Sequence, residues 1–129
     1  MWKRIVSALA ALLVLGAPAV SAQQAASGPV AVAANGNTAS AAVSAQAGRS
    51  PFFLFFDSKG ALVEAVANPN KDAANAGIPS VDFVASKGAK ALVAEGFGGR
   101  IVEVMKDKGV RPVEFKGSAQ DAARKALGQ

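Results

Sequence analysis

The chemistry this chain offers is concentrated in a few glycine-bearing turns and two arginines. Gly96-Phe-Gly-Gly99 and Asn75-Ala-Gly77 each stand just before a predicted helix. The first N–H groups of a helix lack internal partners and carry a partial positive charge, so they favour an anion. Glycine lets the backbone approach a ligand closely. Asn35-Gly36 ends a predicted strand and joins this set if Val30–Ala34 and Lys90–Ala94 are parallel neighbours. In open α/β sheets, ligands bind beyond the carboxyl ends of strands where the chain order reverses. Arg49 and Arg100 could pair with an anion through fixed forks of donors.

Each of these positions also has a plainer reading. Glycine ahead of a helix is often only a turn or cap. Arg100 reads as a solvated helix residue, and Phe97 as either a lid over a ligand or a core plug. Met105 could offer a thioether to copper, but it shares an apolar helix face with Ile101 and so reads as core.

What is missing narrows the chemistry further. The 129 residues include no cysteine and no histidine. Disulfides, thiolate metal sites, cysteine nucleophiles and imidazole bases are all excluded. Soft metals select thiolates and imidazoles. Any metal cluster held here must therefore arrive with its inorganic ligands complete and be gripped through N–H groups and arginine. Such non-covalent binding weakens with salt.

The first 22 residues read as an address. Lys3 and Arg4 precede the apolar run Ile5–Gly16, Pro18 breaks it, and Val20-Ser21-Ala22 presents small residues for cleavage after Ala22. A membrane span needs about 20 uninterrupted apolar residues, more than this run supplies. Export to the periplasm or medium is expected, with no stable membrane anchor after cleavage. Removing Lys3 and Arg4 leaves twelve basic against nine acidic side chains, with no basic cluster. Nucleic-acid binding, which needs concentrated positive charge, is not expected. Residues 23–28 read as a mobile leader and 29–129 as one domain, within the usual size of about 100–150 residues.

The elements that must position these turns follow from hydrophobic pattern. Pro29–Ala34 is a small apolar strand ended by Asn35-Gly36. Asn37–Ser50 is a loop long enough to suggest function or mobility. Phe52-Phe-Leu-Phe-Phe56 is too continuous for a strand with one wet face and should be covered on both sides. Asp57-Ser-Lys-Gly60 is turn chemistry, and Ala61–Ala67 returns as a second strand with Glu64 facing out. Pro79 suits the first turn of a helix whose face is marked by Val81, Val84, Ala85 and Gly88. Lys90–Ala94 is a strand. Ile101, Val104, Met105 and Lys108 mark the next helix, closed by Gly109. Val110–Phe115 is the last strand, and Ser118 with Asp121 opens a helix through Leu127. The order β-β-β-α-β-α-β-α predicts an α/β domain with one mixed five-stranded sheet between helices.

Four features in this order resemble the dinitrogenase iron–molybdenum-cofactor-binding domain of NifX-like proteins, the C-terminal part of NifB and the small molybdenum–copper orange proteins. They are Val30–Ala34, Ser44-Ala-Gln-Ala-Gly-Arg-Ser-Pro-Phe-Phe53, Asn68-Pro69 at the end of the hairpin, and Ala76-Gly77-Ile78 before a helix. Ala91–Phe115 continues the likeness, which covers about residues 29–127. The resemblance implies a three-layer α/β/α ribonuclease-H-like fold and a non-catalytic protein that binds a preassembled molybdenum-containing sulfur cluster. It places Gln46, Gly48 and Arg49 in the binding segment beside Asn35, Asn75, Gly77 and Gly96–Gly99. Where the family commonly has histidine and phenylalanine before Gly-Arg, this chain has Gln46 and Ala47. Gln46 is a poor metal ligand and a good hydrogen-bond donor. The implied guest is an anionic metal cluster or oxyanion. The alternative is a degenerate member serving as a structural or protein-interaction domain. A nuclease sharing the fold would need clustered carboxylates for two cations. The nine acidic residues are scattered instead, and the first strand ends in Asn35.

Overall fold

In the computed structural model, residues 28–129 are described. The predicted leader sequence of residues 1–22, its cleavage point and most of the short segment after it lie outside them. Strands β1 (Val30–Ala34), β2 (Phe52–Phe56) and β3 (Leu62–Ala67) come first. Helix α1 (Gly77–Ser86), strand β4 (Ala91–Ala94), helix α2 (Gly99–Lys108), strand β5 (Arg111–Glu114) and helix α3 (Ala119–Ala126) follow. They build one five-stranded sheet in the spatial order β3-β2-β1-β4-β5. β1 pairs antiparallel with β2 and parallel with β4, β2 pairs antiparallel with β3, and β4 parallel with β5.

Every residue of β1 and β4 is buried, as are Phe53–Phe56 of β2. That is why these runs are apolar throughout rather than alternating. Alternate side chains feed two separate cores. Ala31, Ala33, Phe53, Phe55, Leu92 and Ala94 meet Val81 and Val84 of α1 and Met105 of α2. Val30, Val32, Leu54, Phe56 and Val93 meet α3, whose inner face is Ala119, Ala122, Ala123 and Ala126. Met105 is fully buried in the first core.

Local signals account for most element ends. Gly109 caps α2 in the left-handed conformation at φ 75°. The Ser118 hydroxyl accepts from the Asp121 N–H at 3.1 Å and opens α3, while the Asp121 carboxylate turns to Arg124 rather than back to the cap. The first helix stops at Ser86, so Gly88 lies beyond it instead of on its face. Glu64 is half-buried rather than fully outward, because the ammonium of Lys87 reaches it at 3.1 Å.

The β2–β3 turn is held by the Asp57 carboxylate, which accepts from the N–H groups of Lys59 at 2.9 Å and Ala61 at 3.0 Å. The hydrogen bond from Ala61, then that from Lys59, holds the Asp57 pKa below its ordinary value. A depressed carboxylate pKa contributes stability above the unfolded-state pKa and loses it as pH falls through the folded value. Asp57→Asn should therefore melt below wild type at neutral pH. That gap should narrow in acid below the carboxylate range, as thermal melts at the two pH values will show.

Candidate functional site

The chain turns back on itself between β1 and β4. From β1 it proceeds to β2 and β3 on one side, then crosses to β4 and β5 on the other. Because β1 and β4 are parallel, their carboxyl ends share one edge of the sheet. Two loops leave that edge side by side, joined at their roots. Ser44 N–H donates to the Ala33 carbonyl at 2.7 Å, and Glu95 N–H to the Ser44 carbonyl at 2.9 Å.

Between these loops opens a cleft of about 310 Å³, lined by Ala45–Arg49 on one wall and by Gly96, Phe97, Gly98 and Ile101 on the other. That volume is at the small end of the roughly 300–1,000 Å³ typical of ligand sites. The loop from Asn37 to Ser50 is not loose. It bridges to β1 through Ala34 and Val43 and to the start of α3 through Ala42 and Ser118, and it buries Val43, Ser44, Ala47, Gly48 and Ser50.

The amide groups around this cleft are unusually free. The α3 amino terminus is sealed, since Ala119 N–H donates to Ala41, Gln120 N–H to Ala39 and Asp121 N–H to the Ser118 hydroxyl. In the first turn of α1, Ile78 N–H donates to Asn75 and Ser80 N–H to Ala76, Pro79 has no N–H, and the N–H of Gly77 alone is without an acceptor among the described residues. In α2 the first bonded amide is that of Val102, donating to Gly98 at 3.2 Å. The N–H groups of Gly99, Arg100 and Ile101 find no acceptor among the described residues, nor do those of Gly96, Phe97 and Gly98. No side chain caps α2 and no acidic residue stands in its first turn. Across the cleft, the N–H groups of Ala47, Gly48 and Arg49 are likewise without an acceptor among the described residues.

Positive charge adds to this. The Arg49 guanidinium donates to the Lys71 carbonyl at 3.0 Å and makes no ion pair among the described residues. Arg100 is exposed on α2 and also unpaired there. The described residues contain no group of three or more acidic, histidine or cysteine side chains that could hold a metal ion.

Of the residues singled out in the sequence, Gln46, Gly48, Arg49, Gly96, Phe97 and Gly98 come together on the cleft walls. The other four lie off them. Asn35 ties its N–H to the Ala42 carbonyl at 2.9 Å, and Asn75 sits at φ 53° ahead of α1. Gly77 is packed between Gly48 and the side chain of Ile101. Gly99 is the first residue of α2, behind Gly98. Sequence reasoning passed over Ala45 and Ile101 as lining residues and Ser80 as a buried support. It noted Asn68 only in the Asn-Pro phrase. A polar residue at Ser80 on an otherwise apolar helix face was the one available signal.

A family model described as dinitrogenase iron-molybdenum cofactor matches residues 28–129. The fold is similar to the NMR structure of a Thermotoga protein described as NifB-type and of the DUF35 family. That likeness has 32% identity and a TM-score of 0.64, over 77% of this chain and 85% of that one. It is also similar to the apo form of the orange protein of Desulfovibrio gigas, at 25% identity and a TM-score of 0.68, over 78% of this chain and 88% of that one. No curated protein matches the sequence significantly.

Proposed function

The chain belongs to the dinitrogenase iron–molybdenum cofactor family, and from that premise we propose that residues 29–129 are an exported, non-catalytic binding module. Its cargo is an anionic molybdenum-, iron- or copper-containing sulfur cluster, or a related metal oxyanion, held without any bond from protein to metal. Family membership and the likeness to the orange protein carry the coarse part of this reading, a module that binds a metal cluster.

One observation carries the rest. Residues on both walls of a small cleft carry backbone N–H groups with no acceptor among the described residues, and one wall also bears an arginine without a carboxylate partner there. Such donors suit the outer sulfur or oxygen atoms of a preassembled anion. Gln46 supplies no strong metal ligand where the family commonly has histidine. The non-catalytic part of the reading rests on the family, whose description names a cofactor and no reaction. Export is supported by the pattern of Lys3-Arg4, the apolar run and Val20-Ser21-Ala22. A periplasmic product beginning at Gln23 would check it. The Gln46 substitution favours a second reading, a member whose site is retired and whose domain serves protein interaction.

The test is gel filtration of the purified domain with tetrathiomolybdate, with and without copper, following visible absorption. Co-elution is expected, weakening as salt is raised. Arg49→Ala should lower affinity about tenfold, the scale of one hydrogen bond to a charged group. Gly98→Ala is the complementary probe. Gly98 has an ordinary φ of −74° and no atom within 4 Å of an added Cβ, so the variant should melt like wild type. Its methyl would occupy space the guest needs, and retention should fall. No retained colour under any metal condition would favour the second reading.

A further inference from the structure

The cleft wall formed by Gly48 and Arg49 is held from behind by buried polar side chains that a guest cannot touch. Asn68 is 5% exposed and Ser80 fully buried. The Ser80 hydroxyl donates to the Gly48 carbonyl at 2.8 Å. The Asn68 amide donates to that same carbonyl at 3.1 Å and to the Ser50 carbonyl at 3.0 Å. Asn68 is itself fixed, because its side-chain oxygen accepts from the Asn70 N–H at 2.9 Å and its own N–H donates to the Pro51 carbonyl at 2.9 Å.

Two donors on one carbonyl set the direction of a whole peptide unit. The described chain has no cis peptide bond. In a planar trans peptide, the C=O and the following N–H point opposite ways. Holding the Gly48 carbonyl inward on Asn68 and Ser80 therefore turns the Arg49 N–H outward, away from that pair. The Arg49 N–H has no acceptor among the described residues.

We propose that Asn68 and Ser80 are positioning residues that fix the polarity of the Gly48–Arg49 peptide, so that the cleft presents an N–H rather than a carbonyl to an anion. This rests on the binding reading of the cleft given above. Without the two donors, the buried carbonyl would lose its partners, and a buried polar group left unpaired is costly. Rotating the peptide to reach water at the cleft relieves that cost and places a carbonyl oxygen where the anion would sit. Repulsion then replaces attraction at the same point in space.

The probe is tetrathiomolybdate retained by the mature chain. Asn68→Asp keeps the side chain's size and its acceptor for Asn70 but removes the donating amide, and Ser80→Ala removes the other donor. Each should weaken retention about tenfold or more, the scale of one hydrogen bond to a charged group. Val113→Ala, on the opposite side of the sheet, serves as a comparator destabilised without touching the wall. A merely structural role would make affinity follow melting temperature in all three. The expected result is instead that Val113→Ala binds like wild type. The Arg49 amide resonance, shifted by tetrathiomolybdate in wild type, should not respond in Asn68→Asp. Wild-type retention together with undiminished retention by both Asn68→Asp and Ser80→Ala overturns this inference alone. Failure of the wild type to retain the anion removes the binding reading, and this inference with it.

Discussion

Gly48→Ala should abolish retention of tetrathiomolybdate and lower the melting temperature in the same stroke. A Cβ at Gly48 would lie 2.6 Å from the Gly77 Cα, 2.8 Å from its nitrogen and 3.2 Å from the Ala76 carbonyl carbon. All three are backbone atoms at the start of α1, so no rotamer change relieves the clash. The loop must lift off the helix, which breaks the Ser80–Gly48 hydrogen bond and carries Gln46 and Arg49 with it. Overpacking of this kind costs about 1–3 kcal/mol. The effect on binding should be larger, because one entire wall of the cleft moves. Thermal melts and gel filtration on the same preparation check both parts. A variant that melts and binds like wild type would show that the loop can lift off the start of α1 freely, contrary to the close packing of Gly48 on Gly77. Gly98→Ala across the cleft changes the same residue type with the opposite expectation for stability, so the pair separates structural from guest-facing glycine.

Phe55→Ala should cost about 3–5 kcal/mol, the range for truncating a fully buried phenylalanine. Phe55 is 0% exposed in the second strand of the sheet, and its ring meets that of Phe83 edge-on with centroids 6.4 Å apart. Domains are stable by only about 5–15 kcal/mol in total. The variant should therefore be close to unfolding at ambient temperature, and urea denaturation measures the loss directly. A loss below about 1 kcal/mol would mean that the α1 side collapses onto the vacated space, which cores rarely permit.

The fold was legible because its signals are local or periodic. Phe52–Phe56 has no polar residue and could only be a strand covered on both faces, which is where it lies. The alternation of strand and helix after Gly77 required parallel crossovers, and β1, β4 and β5 provide them. Gly109 and Ser118 announce a helix end and a helix start through conformational and capping chemistry that neighbouring residues scarcely alter.

The candidate site was legible as a pair of segments but not as walls. Sequence reasoning grouped Asn35, Asn75 and Gly77 with Gly96–Gly99 because all lie near strand or helix ends. Whether such a residue faces a cleft depends on backbone bonds that no side chain announces. Asn35 is drawn aside because its loop doubles back to bring Val43 beside Ala34. Gly77 is packed closely against Gly48 and Ile101, which leaves no room for a side chain there. The Asn37–Ser50 stretch looked loose because its order comes from main-chain bonds, among them Val43 N–H to Gly117 at 2.9 Å, which composition does not encode.

The contrast between the capped start of α3 and the bare start of α2 bears on speed as well as on strength. Protein carbonyls and a hydroxyl occupy the amides of α3, so an arriving ion would first have to break them free. At α2 only solvent has to leave. Among the described residues, the guanidinium contact with which an anion reaching that end of the fold would compete is the hydrogen bond from Arg49 to the Lys71 carbonyl. Loading should therefore be limited by diffusional encounter, and unloading by how many amides let go at once, with no refolding step in either direction.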